Sequence, residues 1–97
     1  YWQHNPGLSF NFANWIRREH TSIRAIGIDV ISITARAHRS EGREAHREFL
    51  CNNEWSDPVI LIEDMSLKNV TSELQRVIVL PLMISEGDGA PCTIIAE

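Results

Sequence analysis

The chain has 97 residues, of which 43% are hydrophobic, and thirteen acidic against nine basic side chains give a formal net charge of −4. This length fits one small domain, which we expect to cover residues 1–97. The composition is that of a globular protein and argues against disorder. The acidic balance disfavours a nucleic-acid partner, and no apolar run approaches the roughly 20 residues that span a bilayer, so a membrane partner is not expected either.

The two cysteines, Cys51 and Cys92, lie far apart in the sequence. Two cysteines in a chain of this length do not make a disulfide framework. We therefore expect two free thiols and a reducing compartment, which favours a cytoplasmic location.

The basic side chains are concentrated in one stretch. Eight of the nine are arginines, and four of these fall within twelve residues: Arg36, Arg39, Arg43 and Arg47. The stretch is interpreted either as the solvated face of a helix or as an anion-binding rim, since arginine binds carboxylates with two parallel hydrogen bonds.

The first half of the chain predicts a helix, a strand and a second helix. Apolar spacing favours a helix over roughly 10–20, with Ser9 as its N-cap and basic residues, including Arg17, in its last turns. The β-branched run 23–33 predicts a largely buried strand that ends near Asp29 or soon after. A second helix is expected over roughly 41–52, capped by Ser40.

The second half predicts three strands. The apolar run 59–62 is a short strand, and a short helical turn is expected over 71–74. The run 76–84 is a strand that contains Pro81, which favours a sheet edge or a bulge. A last strand is expected over 93–96.

The order of these elements predicts an α/β fold with one mixed sheet and helical cover. The first two strands are separated by a helix and enough chain for a crossover, so we expect them to be parallel. The last two are joined by a glycine-rich loop and are expected to be antiparallel.

Parallel strands place three polar residues near one edge of the sheet. Asp29 follows the first strand, Glu63 follows the second, and His46 lies on the helix between them, so the three side chains are expected to converge. Imidazole and carboxylate suit zinc, manganese or iron. Two alternatives stay open: His46 as a surface or capping histidine, and Glu63 as a strand end that reaches water.

Six short motifs follow one another along nearly the whole chain. They are Asn5-Pro6-Gly7-Leu8-Ser9, Ile26-Gly27-Ile28-Asp29, Ala45-His46-Arg47-Glu48-Phe49-Leu50, Ile62-Glu63-Asp64-Met65-Ser66-Leu67, Leu80-Pro81-Leu82 and Gly87-Asp88-Gly89-Ala90-Pro91. In this order they resemble the C-terminal half of the cyclase family, which includes bacterial kynurenine formamidase and isatin hydrolase.

The resemblance implies a swivelling β/β/α-type fold and a metal-dependent, arylformamidase-like hydrolase of tryptophan and kynurenine catabolism. It makes His46 and Glu63 the catalytic residues and the ligands of a divalent metal, zinc or manganese. The family takes its remaining ligands from an upstream motif, His-x-Gly-Thr-His-x-Asp-x-Pro, which these residues lack. Since the chain starts with Tyr1 rather than methionine, we expect it to be the C-terminal portion of a larger domain.

Three departures from the family pattern bear on the substrate more than on the family. The interval from His46 to Glu63 is longer than in the formamidase branch, which suggests a larger loop over 51–58. Val30-Ile31 stands where Thr-Pro is usual, and Glu86 stands where glycine is usual.

These observations lead to two expectations about function. The first is a hydrolase that uses metal-activated water on an amide, lactam or lactone, with a small-molecule substrate and with further ligands from a preceding segment or a second chain. The alternative is a non-catalytic binding or scaffolding module of the same fold that pairs with another chain. Unpaired sheet edges favour a homo-oligomer in either case.

Overall fold

The computed structural model describes residues 3–97, and Tyr1 lies outside the described residues. This range contains both helices and short strands, so the protein is α/β in class, as predicted. The elements are α1 (Phe10–Glu19), β1 (Ala25–Gly27), α2 (Arg39–Leu50), β2 (Ile60–Ile62), β3 (Val77–Pro81) and β4 (Cys92–Ala96), with a 3-10 turn at Arg36–His38. Within residues 3–97, no helix is long and apolar enough to cross a membrane.

The chain divides into two units, and the boundary between them in the sequence falls between residues 67 and 68. The first unit contains α1, β1, α2 and β2, and the second contains β3 and β4. The prediction of one mixed sheet is wrong, because β1 pairs with β2 and β3 pairs with β4 in two separate two-stranded sheets. The expectation of a single domain stays a prediction.

The predicted parallel pairing of the first two strands is confirmed. The register is Ala25 with Ile60, Ile26 with Leu61 and Gly27 with Ile62. The predicted strand, from Ile23 to about Asp29, is too long, since the regular strand covers only three residues and is partly exposed. Beyond it the chain still bonds to the partner segment through single contacts, such as Ile28 N–H to the Ile62 carbonyl at 2.9 Å.

The core of the first unit lies between the two helices and the short sheet. Ser9 caps α1 by accepting from the Phe12 N–H at 3.1 Å, as predicted. The buried apolar side chains of the core come from α1, α2 and the segments beside the strands: Ala13, Ile16, Ile33, Ala45, Phe49 and Val59. These contacts fix α2 against α1 and above β2.

Helix α2 begins earlier than the sequence predicts. Its first residue is Arg39 and its N-cap is His38, so the assignment of Ser40 as the cap is wrong. The physical reason is the preceding 3-10 turn, in which the His38 N–H already bonds to the Ala35 carbonyl at 3.0 Å. The turn continues directly into the helix, and Ser40 lies inside the first turn.

Arg17 is the largest fully buried side chain, at 1% exposure. The sequence places it in the last turns of α1, where a positive charge suits the helix dipole, but its guanidinium reaches across to the end of α2. It donates hydrogen bonds to two side chains of the loop after α2 and to four backbone carbonyls: those of Glu48, Phe49, Cys51 and Ser56. Arg17 thus caps the C-terminal end of α2 and fixes the loop that leads to β2.

The second unit is an antiparallel pair, as predicted, with Val77 opposite Ala96 and Pro81 opposite Cys92. Pro81 is the last residue of β3, which in a two-stranded sheet is an edge strand, as predicted, and proline is tolerated there. Residues 71–74 form no helical turn, contrary to the prediction. Glu86 has a φ of 59°, a left-handed conformation that glycine adopts without strain.

Replacing Arg17 with methionine is expected to lower the free energy of unfolding by about 3 kcal/mol or more. The change keeps much of the buried volume but leaves several carbonyl groups of the α2 end without their donor, and each such group costs about 1–3 kcal/mol. Urea unfolding followed by circular dichroism measures the effect.

The neighbouring arginine provides the control. Arg18 is exposed and lies over the Trp55 ring at 4.6 Å from its centroid, a contact worth about 1 kcal/mol or less at an exposed site. If Arg18→Met destabilises the chain as much as Arg17→Met, the buried network is not what holds the end of α2.

Candidate functional site

His46 and Glu63 meet at the carboxyl end of β2. The His46 Nε2 atom lies 3.3 Å from the Glu63 Oε1 atom, and the two side chains are 30% and 28% exposed. The predicted approach of these two residues is confirmed. Their roles as metal ligands and catalytic residues stay a prediction.

The local fold explains why they meet. Glu63 directly follows β2, which is parallel to β1. Helix α2 buries Ala45 and Phe49 in the core, and His46 is next to the first of these, at the margin of the buried face. A strand end and a helix margin therefore bring one carboxylate and one imidazole together at the surface of the first unit.

The second ring nitrogen of His46, Nδ1, contacts two groups of the protein that fix the orientation of the imidazole. Its Nδ1 atom lies 2.9 Å from the Gly42 carbonyl oxygen and 3.2 Å from the Thr34 hydroxyl. A carbonyl can only accept, so in the neutral ring Nδ1 carries the proton and Nε2 presents its lone pair toward Glu63. Metal-binding histidines are oriented in this way, by an N–H donated to a backbone carbonyl.

The carboxylate of Glu63 is held by the segment 32–34. Its Oε1 atom accepts from the Ser32 hydroxyl at 3.0 Å and from the Ile33 N–H at 2.8 Å. The Asn5 amide fixes the same segment by donating to the carbonyls of Ser32 and Thr34, both at 3.1 Å. Segment 32–34 therefore contacts both candidate ligands.

Sequence reasoning missed the supporting roles of Ser32 and Thr34. They lie at and beyond the end of the β-branched run 23–33, in a loop whose path the sequence does not specify, although they flank the buried Ile33 with polar side chains. A polar side chain on each side of one buried apolar residue was the sequence feature that could have indicated their roles. The path of the chain through residues 32–40, on which the contacts depend, was not predictable.

The pair fits two neighbouring ligands of a divalent metal. Zinc bonds of about 2.0–2.2 Å at a tetrahedral angle separate a nitrogen and an oxygen ligand by about 3.3–3.5 Å. The observed separation of Nε2 and Oε1 is 3.3 Å. Imidazole and carboxylate also suit manganese. A catalytic zinc needs about three protein ligands, so this pair alone would supply only part of such a donor set.

The predicted third member of the cluster, Asp29, does not join it. Within residues 3–97, no three or more His, Cys, Asp or Glu side chains lie close enough to hold a metal ion together. Asp29 is exposed and lines a different concavity, with Leu8 and Leu67. The reason is that β1 ends at Gly27, so Asp29 lies beyond the regular strand rather than at its end.

The two cysteines take no part in the pair. Cys51 and Cys92 are both free and exposed, as the sequence predicts for free thiols.

Comparison with known proteins identifies no relative: no family model, no curated protein and no solved structure matches the chain.

Replacing Gly42 with alanine is expected to destabilise the protein by about 1–3 kcal/mol, although alanine is normally the better helix former. A Cβ at this position would lie 2.6 Å from both the Cγ2 and Oγ1 atoms of Thr34 and 2.7 Å from its Cα. The displacement should also disturb the contact of His46 with Gly42. Thermal and urea unfolding measure the stability.

Ser40→Ala on the same helix is the matched control, because Ser40 is exposed. It is expected to stabilise the chain by a few tenths of a kcal/mol, about the difference in helix propensity. Equal stability of the two variants would show that Thr34 does not pack tightly against α2.

Proposed function

We propose that the protein is a metal-dependent hydrolase of the cyclase family, in which His46 and Glu63 hold a zinc or manganese ion. The observation that carries the proposal is the Nε2–Oε1 separation of 3.3 Å, with the opposite nitrogen of His46 on the Gly42 carbonyl. The order of six family-like motifs along the sequence supports the same conclusion. The substrate would be an amide, lactam or lactone, as in arylformamidases.

The residues of the chain would divide the chemistry between them. A bound divalent metal supplies Lewis acidity, which polarises a carbonyl group and promotes ionisation of water. His46 would contribute the Nε2 lone pair, in an orientation set by its contacts with Gly42 and Thr34.

Glu63 would also move a proton. Its hydrogen bonds with the described residues all use Oε1, which leaves Oε2 for this task. For an amide, water forms the new C–O bond while Oε2 accepts its proton, and the same proton passes to the leaving nitrogen as the C–N bond breaks. A partly exposed carboxylate beside a cationic centre is suited to this transfer.

The proposal requires ligands beyond His46 and Glu63. In the cyclase family these come from an upstream histidine-rich motif, and here a preceding segment or a second chain would supply them. Exposed apolar side chains on β3, including Val77 and Leu80, provide a surface that such a segment or a homo-oligomer would cover. The α/β architecture is consistent with part of a swivelling β/β/α-type fold, and the free thiols suit the cytoplasm.

The alternative is a non-catalytic binding or scaffolding module of the same fold. The exposed apolar strands of the second unit favour it as much as they favour the hydrolase, because they need a partner in either case. The two candidates differ in whether histidine ligands are supplied to His46 and Glu63. Intact mass of the purified protein and identification of any co-purifying chain would separate them, since the module requires no such histidines.

In the full-length protein, His46→Ala and Glu63→Gln are each expected to lower bound zinc or manganese and to reduce formanilide hydrolysis by about 100-fold or more. Alanine removes a ligand, whereas glutamine keeps the shape of the side chain but is a weaker ligand and cannot carry the proton. Metal content by mass spectrometry and steady-state rates measure the two effects.

Two exposed residues nearby serve as controls. His38→Ala and Glu44→Gln remove the same chemical groups outside the His46–Glu63 pair and should leave metal content and rate unchanged. The proposal is wrong if His46→Ala and Glu63→Gln also leave both quantities unchanged.

A further inference from the structure

Three arginines form a stripe along α2. Arg39, Arg43 and Arg47, here called the arginine stripe, are spaced four residues apart, which places them on one face with successive side chains about 6 Å apart. Together with Thr34 and His46 they line an open concavity of about 430 Å³. The stripe therefore borders the same space as one of the two candidate ligands.

The charges of the stripe are not neutralised locally. Among residues 3–97, none of its guanidinium groups forms an ion pair with an acidic side chain, although acids outnumber bases in the chain. Like charges four residues apart destabilise a helix, and Arg39 also opens the helix, at the positive end of its dipole. All three side chains are exposed, so internal packing does not account for the arrangement.

A bound anion would relieve the repulsion between the guanidinium groups of the arginine stripe. Guanidinium groups match the two oxygens of a carboxylate, and the Thr34 hydroxyl adds a further donor in the same concavity. The volume falls within the range of small-molecule sites. The His46 imidazole is the one ring among the residues that line the concavity, with no Phe, Tyr or Trp beside it for base stacking. The chain is also acidic overall, and both features disfavour nucleic acid.

We infer that the arginine stripe binds the carboxylate group of a small organic acid. Because His46 borders the same concavity, a carboxylate held there lies beside the proposed metal centre. The inference thus rests on the proposed function for its biological meaning and narrows the substrate to an amide, lactam or lactone that also bears a carboxylate.

Two substrates that differ only in that group test the inference. Steady-state hydrolysis of 3-formamidobenzoate and of formanilide is measured in the full-length protein and in Arg43→Gln. The variant is expected to raise KM for 3-formamidobenzoate by about tenfold or more, because the carboxylate loses one charged hydrogen-bonding partner. The KM for formanilide, which has no carboxylate, should not change. Arg43→Lys keeps the positive charge but cannot donate two parallel hydrogen bonds to a carboxylate, so it should raise KM less than Arg43→Gln does.

The matched control is Arg24→Gln. Arg24 is exposed and pairs with Asp57 away from the stripe, so its loss removes the same charge without touching the concavity. If Arg24→Gln and Arg43→Gln raise KM for 3-formamidobenzoate equally, the effect comes from the net charge of the protein, and the inference is overturned. Hydrolysis that does not distinguish the two substrates in Arg43→Gln would overturn it while leaving the proposed function intact.

A binding measurement separates the inference from the proposed function. Benzoate is titrated into the protein while the arginine Nε–Hε signals are followed by NMR. Shifts of the Arg43 and Arg47 signals, and binding about tenfold weaker in Arg43→Gln but unchanged in Arg24→Gln, support the site even if no amide is hydrolysed. Absence of these shifts, or displacement of benzoate by a lower concentration of single-stranded RNA, overturns it.

Discussion

The buried guanidinium group of Arg17 is the interaction on which the first unit depends. It joins α1 to the last carbonyls of α2 and to Ser56 in the following loop. The chain then returns to the core, where the Val59 N–H bonds to the Phe49 carbonyl at 2.8 Å. This short, fixed connection determines where β2 starts relative to α2, and therefore how close the strand end comes to the helix margin that carries the candidate ligand.

The helices and strand directions were predictable, but the length of the first strand was not. Stiff β-branched side chains in residues 23–33 indicate burial and extended backbone. Pairing is a separate requirement, and β2 offers only three residues to pair with. Ile33 shows the difference, since it is fully buried in the core yet lies outside any strand. Its N–H is satisfied by the Glu63 carboxylate rather than by a neighbouring strand.

The candidate site was half predictable for a similar reason. Strand direction and helix placement are consequences of local sequence pattern, so the approach of His46 to Glu63 followed from them. The groups that orient this pair, Ser32, Thr34 and Gly42, depend on a loop path that no local pattern specifies. Asp29 failed as a third member because its expected place relied on a strand two residues longer than the one that forms.

The proposal that His46 and Glu63 are metal ligands rests on how the pair is oriented. An ion pair at this degree of exposure contributes about 0–1 kcal/mol to stability. Yet His46 is oriented through Nδ1 by two groups, and Glu63 Oε1 by two more. In the neutral ring, this arrangement points two lone pairs at each other across 3.3 Å, which is unfavourable until a cation or a proton lies between them. Orientation of this kind gains little for folding but lowers the entropy lost when a metal ion binds.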